Sequence, residues 1–499
     1  MDRSISRAFL SMFSVKVVTS VVSILSLPVV VRILGSDGYG DYAFLISTFS
    51  LLMILVSSGV TEGVQKFVAE ERADPDWKQA VVGFYLRLAL VLAGVGAVGV
   101  ALVAATGVVT RLGTGYVAYF YLLAVFVVTA QLRSFTRRTL MGLGMERYSE
   151  PLRVVGKFTW LGLGLGLAVI GYGVAAFLAA NVISAAVVAI IGFAFVRKRV
   201  SLRDALLDRS APRRELLSFN VLNIVLVLLM MSLFHVDVVM VRLLAGDSQA
   251  GHYKAALALA EYLWFVPLTL QSLLLHSASE LWSNDRVDRI TELASRVTRY
   301  ILLLTVLMGC GIFALADRFV PIYFGESFTP AIEPLILLLP GVLGFALARP
   351  LFAINQGTGR LAPVIGATGI SALLNVICNA LFIPVFGIIG AAMATSLGYG
   401  SMFLFHAACA RWFGYDPLSD VRPVAVLVTV VVGGGAIILG EPLIPSDLVA
   451  LATVPVAGAL VYTAVAVFTG ALDMDELRMA VGELPAPIGP SLQSLLSEG

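Results

Sequence analysis

Lys16, Arg87 and Lys157 each interrupt a long apolar stretch. A lysine or arginine at the centre of a spanning helix costs about 3 kcal/mol or more. Such a residue faces a polar cavity, pairs with an acid, or snorkels its charge back to the interface. Lys16 and Lys157 lie early in their stretches and Arg87 in the first half of its own, all in the first half of the chain. On one shared face they would make a cationic lining for an anionic group. Arg32 and Arg242 close two further apolar stretches and join them as candidate anion contacts. The acids in comparable positions are Glu62, Asp237 and Glu261. Asp237 stands five residues before Arg242, so an ion pair one turn up is feasible. Glu261 has no partner nearby in sequence and is the leading candidate for a proton- or cation-coupling group, ahead of Asp237 and Glu62.

No covalent chemistry is expected. There is no P-loop, no HExxH and no Ser/His/Asp set. Cys310, Cys378 and Cys409 lie inside apolar stretches without metal-ligand spacing and read as packing thiols. Gly94-x-Gly96-x-x-Gly99 matches a dinucleotide fingerprint as a string, but no strand precedes it. It reads as a small-residue face for close helix packing. His406 reads as a packed or interfacial histidine. No cofactor is called for.

The elements that must carry these residues are membrane helices. The chain is 59% hydrophobic and 13% charged, with a mean hydropathy of +0.93. Residues 361–410 contain no Asp, Glu, Lys or Arg, and neither do residues 158–196. About 20 such residues cross a bilayer as a helix, so each run crosses twice. A reversal stands near the middle of each, Gly171-Tyr172-Gly173 in one and Pro384-Val385-Phe386-Gly387 in the other.

Fourteen spans are expected, the first four at 12–34, 41–65, 79–106 and 116–133, and the last at 447–470. With the N-terminus in the cytoplasm, twenty-six of the 34 lysines and arginines fall on inner segments and five on outer ones. One span too many or too few would erase that asymmetry. Both termini are therefore expected in the cytoplasm of a multi-pass cell-membrane protein. The most basic loop, Arg197 to Arg214, carries a predicted interfacial helix with Leu202, Ala205 and Leu206 toward lipid. The tail opens on Asp473 followed by Glu476, a capping-box pattern for a short helix.

The sequence also resembles itself. Arg32 leads to Gly40-x-Tyr42 after span one, and Arg242 leads to Gly251-x-Tyr253 after span seven. Gly142-x-Gly144 with Pro151 is mirrored by Gly357-x-Gly359 with Pro363. Gly173-Val-Ala-Ala is mirrored by Gly387-Ile-Ile-Gly-Ala-Ala. Three matches in one order at a near-constant offset predict two parallel repeats of six spans. The expected division is an N-lobe at 1–200, a cytoplasmic connector at 201–216 and a C-lobe at 217–412. Two further spans follow at 413–472, then a tail at 473–499.

These residues resemble the polysaccharide and oligosaccharide flippases of the multidrug/oligosaccharidyl-lipid/polysaccharide exporter superfamily. The resemblance rests on Arg32-x-Leu34-Gly35-x-x-x-Tyr39-Gly40-x-Tyr42, on Asp237 with Gly251-x-Tyr253-x-Ala255-Ala256, and on Phe324-Gly325-x-x-Phe328. It also rests on Asn375 and on Ile383-Pro384-x-x-Gly387-x-x-Gly390-Ala391-Ala392. It covers about residues 5 to 410. It implies two pseudosymmetric six-helix lobes, alternating access, and a polyprenyl-phosphate- or diphosphate-linked oligosaccharide moved from the inner to the outer leaflet. The implied partners are that glycan substrate, membrane lipids and glycan assembly enzymes, with no nucleic acid and a monomeric chain. On this reading Lys16, Arg87, Lys157, Arg32 and Arg242 would meet the headgroup. Tyr85, Tyr119, Tyr121, Trp160 and Trp264 would offer faces to sugars. The alternative is a drug or metabolite exporter of the same superfamily driven by cation antiport, which would favour carboxylates in the first lobe.

Overall fold

A computed structural model describes residues 3–207, 211–218 and 221–482, with side chains described from residue 18 onward except at 218, 221, 223, 276 and 480–482. The protein is an all-α polytopic membrane protein. Its long helices are α1 (Arg3–Ala69), α2 (Trp77–Ala105), α3 (Tyr116–Gly142), α4 (Pro151–Leu167) and α5 (Gly173–Val196). Two short helices follow, α6 (Leu202–Leu207) and α7 (Arg213–Ser218). Then come α8 (Val221–Ala245), α9 (Asp247–Glu261), α10 (Phe265–Ser283), α11 (Val287–Phe324), α12 (Ile332–Gly357) and α13 (Leu361–Phe413). The chain closes with α14 (Pro423–Leu443), α15 (Asp447–Phe468) and α16 (Met474–Gly482).

Eleven helical segments among the described residues are long and apolar enough to cross a membrane. Three of them, Val18–Ala69, Glu146–Val196 and Leu361–Phe413, run to 52, 51 and 53 residues, enough for two crossings each. Each is interrupted by glycine outside helical geometry: Gly35 at φ 66°, Gly171 at φ 99° and Gly387 at φ 57°. A side chain at positive φ is strained and glycine is not. The expected reversals at 171–173 and 384–387 fall at these breaks, and dividing the three helices there gives fourteen spans.

The chain divides into two compact units. One comprises residues 1–255 with 375–391, the other residues 256–374 with 392–499. In the first unit α3 packs on α1, α2 and α5, α4 packs on α5, and α1 packs on α8. Phe67, Tyr85, Phe135, Val188, Ala205 and Leu216 share one buried cluster at the connector end. In lipid, helices associate through close packing and hydrogen bonds more than through the hydrophobic effect, and close approach needs small residues. Gly40 meets the backbone of Asp247 and Gly251, and Gly251 meets that of Ser36 and Gly40. A methyl group on either glycine would collide with main chain.

In the second unit α12 packs on α10 and α11, and α14 and α15 pack on α11. Part of its polar core is linked in series. The Tyr415 hydroxyl donates to Asn355 Oδ1 at 2.7 Å, and Asn355 Nδ2 donates to the His406 carbonyl at 3.1 Å. His406 is fully buried, with Nε2 3.2 Å from the Thr368 hydroxyl. It packs, as its sequence setting suggested. An apolar cavity of about 500 Å³ lies among α11, α14 and α15, lined by Leu307, Ile312, Leu315 and Val454 among others.

The connector is docked onto the first unit. Ala205 is completely buried against Gly83 of α2, whose missing side chain admits the Ala205 carbonyl. Leu206 and Leu207 are exposed. The predicted helix therefore exists, but Ala205 faces protein instead of lipid. Leu202 is half-buried and packs against the same cluster.

Candidate functional site

The described residues enclose a polar cavity of about 340 Å³ in the first unit, among α1, α3 and the start of α4. Arg137, Arg138 and Arg153 line it, with Glu150, Ser57 and Thr61. Two features position the arginines. First, α3 does not stop at residue 133, where hydropathy ends the span, but runs on to Gly142. Arg133, Arg137 and Arg138 thus stand on the helix and not in a loop. Second, the chain turns at Gly144, φ 68°, and re-enters a helix at Pro151, bringing Glu150 and Arg153 back beside α3.

The charges are matched incompletely. Glu150 is 5% exposed. Its Oε1 lies 3.3 Å from Arg137 Nη2 and its Oε2 3.5 Å from Arg153 Nη1. Arg137 also donates through Nε to the Ser149 carbonyl at 3.3 Å. Arg138 donates to Gln65 Oε1 at 2.5 Å and lies 3.0 Å from Glu62 Oε1. Three guanidinium groups therefore face two carboxylates. None is held in a two-pronged fork by a carboxylate, the geometry in which arginine binds carboxylate or phosphate most strongly. The site can accept an anion with donors already in place.

Among the residues singled out from sequence, Glu62 belongs to this site, as a partner of Arg138. Arg87 does not line it. Its Nη1 donates to the carbonyls of Ala205 and Leu206 at 3.0 and 2.7 Å. These are terminal carbonyls of α6, left without intrahelical partners. Lys157 lies over the Trp160 ring, 4.5 Å from its centroid. Arg87 and Lys157 therefore take different partners. Lys16 is in α1, but its side chain lies outside the described residues.

Arg242 and Asp237 are at the opposite end of the first unit. Arg242 Nε donates to Asp41 Oδ1 at 2.8 Å, and Nη2 donates to the Leu112 carbonyl at 2.9 Å. The Tyr116 hydroxyl donates to the same Asp41 oxygen at 2.5 Å. Asp237 is fully buried and accepts the Tyr253 hydroxyl at 2.6 Å. The partner that sequence suggested for Arg242 is thus taken over by Asp41, from a helix two hundred residues away. Arg32 is exposed and Glu261 half-buried, each with an interaction of its own. Of the aromatic set, Tyr85 is buried with its hydroxyl on the Leu216 carbonyl at 3.0 Å, and Trp264 is buried with its indole N–H on the Val342 carbonyl at 3.2 Å. Neither offers a face to a ligand. Tyr121 is exposed and Trp160 half-buried.

Arg137, Arg138 and Arg153 are not among the candidates drawn from sequence, because they follow the expected span 116–133 and count among the basic residues of the inner segments. The signal was present: Arg133 and Arg137 stand four residues apart, in helical phase with the span before them.

An all-helical chain of about fourteen spans defines a multi-pass membrane protein. Comparison narrows the class: residues 5–264 match the polysaccharide biosynthesis protein family, and the chain belongs to it. A relative from Haloferax volcanii, described as "Probable low-salt glycan biosynthesis flippase Agl15", is 23% identical over 408 residues, covering 81% of this chain and 83% of that protein. The fold matches a solved structure of lipid II flippase MurJ in an inward closed conformation. The TM-score is 0.69 at 13% identity, over 92% of this chain and 98% of the other. It also matches an inward-facing multidrug resistance MATE transporter of the MOP superfamily. That TM-score is 0.69 at 14% identity, over 81% and 96%.

Proposed function

We propose that the protein flips a polyprenyl-phosphate- or diphosphate-linked oligosaccharide between leaflets, without making or breaking covalent bonds. The observation that carries this reading is the arginine-lined cavity in a chain otherwise selected against charge. A sugar phosphate cannot enter hydrocarbon without losing its water. Arg137, Arg138 and Arg153 supply fixed donors in place of that water, while the lipid tail remains in the bilayer. Family membership and the resemblance to a glycan flippase support the same substrate class. The headgroup contact is assigned to these three arginines in preference to Arg87, which does not line the cavity and whose Nη1 is engaged on α6.

The two repeats, 1–200 and 217–412, act as lobes in alternating access, with both termini cytoplasmic, so that the cavity opens to the cytoplasm, where the lipid-linked sugar is assembled. Gly40 and Gly251, which match across the two repeats, touch, and beside them the hydroxyls of Ser36 and Ser248 are hydrogen-bonded at 3.1 Å. Residues related by an internal two-fold meet only on its axis, which supports the repeat. The chain acts as a monomer and receives its substrate from glycan assembly enzymes. Drug antiport by a cation is the competing reading; a cavity with three arginines and two acids favours an anion.

The test is reconstitution in proteoliposomes with a fluorescent polyprenyl-diphosphate saccharide. The wild type should flip it, and Arg138→Gln or Arg153→Gln should lose about ten- to a hundredfold in rate, as expected for a charge-assisted hydrogen bond of 1.5–3 kcal/mol. Export of cationic dyes with no glycolipid movement would replace this reading with the antiport one.

A further inference from the structure

The arginine cavity already contains a carboxylate where its ligand's anion would sit. We propose that Glu150 is a resident counter-ion that the ligand's diphosphate displaces, so that binding is an exchange of anions on Arg137 and Arg153. This rests on the flippase reading above.

The geometry favours exchange over a permanent ion pair. Glu150 is nearly buried, yet its contacts at 3.3 and 3.5 Å to two different arginines are long for charge-assisted hydrogen bonds. It satisfies both cations weakly and neither in a fork. Arg153 is 44% exposed and Arg137 24% exposed, so both guanidinium groups can be approached from the cavity while still touching Glu150. Glu150 is the last residue before Pro151 and stands at the N-cap position of α4 without a side-chain capping bond. That leaves the helix N-terminus, which favours a negative charge, as an alternative place for its carboxylate.

A transporter must release what it binds. Three arginines without internal acids would hold a diphosphate too firmly. With Glu150 in competition, the arginines are never left bare: the carboxylate returns as the headgroup departs. The cost of an uncompensated buried charge is avoided in both states. Glu62 stands in the same relation to Arg138, but at 41% exposure it competes from solvent and less strongly.

The experiment uses the full-length protein in nanodiscs and two probes, inorganic pyrophosphate and a short-chain polyprenyl diphosphate without sugar. Glu150→Gln removes the competing charge and keeps the shape. It should bind both probes about tenfold more tightly, the lower end of what removing one close charge does to a neighbouring ionic equilibrium, and should flip glycolipid more slowly. Glu150→Asp, which keeps the charge but shortens the reach, should tighten binding only a few-fold and guards against failure of the glutamine variant to fold. Tighter binding of the lipid probe alone would identify the lipid headgroup, and not free diphosphate, as the displacing anion. Unchanged or weaker binding of both probes by folded Glu150→Gln would overturn the exchange. If Arg137→Gln and Arg153→Gln still abolished binding, the site itself would stand. If those arginine variants bound as well as wild type, the headgroup assignment would fall with it.

Discussion

At the scale of single residues, a charge in a membrane protein is read by its partner and not by its depth. Arg87 lies well inside an apolar stretch, yet its Nη1 donates to two carbonyls of α6. Arg87→Ala should therefore destabilise the protein by about 2 kcal/mol, in the range for hydrogen bonds to a charged group, while pyrophosphate binding is unchanged. Arg87→Lys should recover part of the stability. Chemical unfolding in detergent measures the first effect, and loss of pyrophosphate binding in the alanine variant would return Arg87 to the site. The sequence showed that Arg87 was unusual. It could not show the partner, because that partner is backbone more than a hundred residues further on. The arginines of α3 were hidden for the opposite reason. They stand at the polar end of a span, where basic residues are ordinary, and only the helix running on to Gly142 turns them into a cavity wall.

At the scale of elements, the connector and the tail are both held by ion pairs that hydropathy does not register. Arg72 lies over the Trp77 ring at 3.7 Å and reaches Glu215 of α7 at 2.5 Å. Its hydrogen bond holds the Glu215 carboxyl below the usual carboxylate range. A depressed carboxylate contributes stability that is present above its ordinary pKa, about 4.3, and is lost as pH falls through the folded value. Limited proteolysis should therefore find the connector protected at pH 7 and cut faster below about pH 4. Glu215→Gln should be cut faster already at pH 7, and equal cutting of variant and wild type would show the pair to be incidental. The tail shows how burial sets the scale. Arg299 is completely buried and pairs with Glu476 of α16 at 2.6 Å and Asp420 at 3.2 Å. Arg422 grips Asp473 with two 2.7 Å bonds in a partly exposed position. Arg299→Gln should cost about 3 kcal/mol, as breaking a buried pair does, and Arg422→Gln about 1 kcal/mol or less. A reversed order in denaturation would contradict the assignment. The capping pattern at Asp473 was legible in sequence, and Glu476 does accept from the Asp473 N–H at 3.1 Å. The face of α6 was not legible. Ala205 and Leu206 are both apolar, and the choice between them was made by Gly83 on another helix.

At the scale of the whole molecule, the proposed repeat rests in sequence on the Gly-x-Tyr that follows both Arg32 and Arg242. Nothing in the two strings told that these segments touch. They do so at Gly40 and Gly251, where the Cβ of any other residue would collide with main chain, and at the paired hydroxyls of Ser36 and Ser248. Beside them Arg242 ties α8 to α1 through Asp41, and Gln249 accepts the Ile388 N–H at the break in α13 at 3.2 Å. This seam lies just after the break in α1 at Gly35, and in the proposed alternating access it parts once per cycle. Its bonds suit that task. They include polar contacts around two glycines, which water can replace when they separate. Cysteines at positions 36 and 248, in a chain whose Cys310, Cys378 and Cys409 are replaced by alanine, should form a disulfide on mild oxidation. Oxidised protein should bind pyrophosphate normally and flip glycolipid at a small fraction of the reduced rate, with full recovery on reduction. Undiminished flipping by fully cross-linked protein would mean that the seam stays closed throughout the cycle, and the headgroup would then have to leave by a route that never separates α1 from α9.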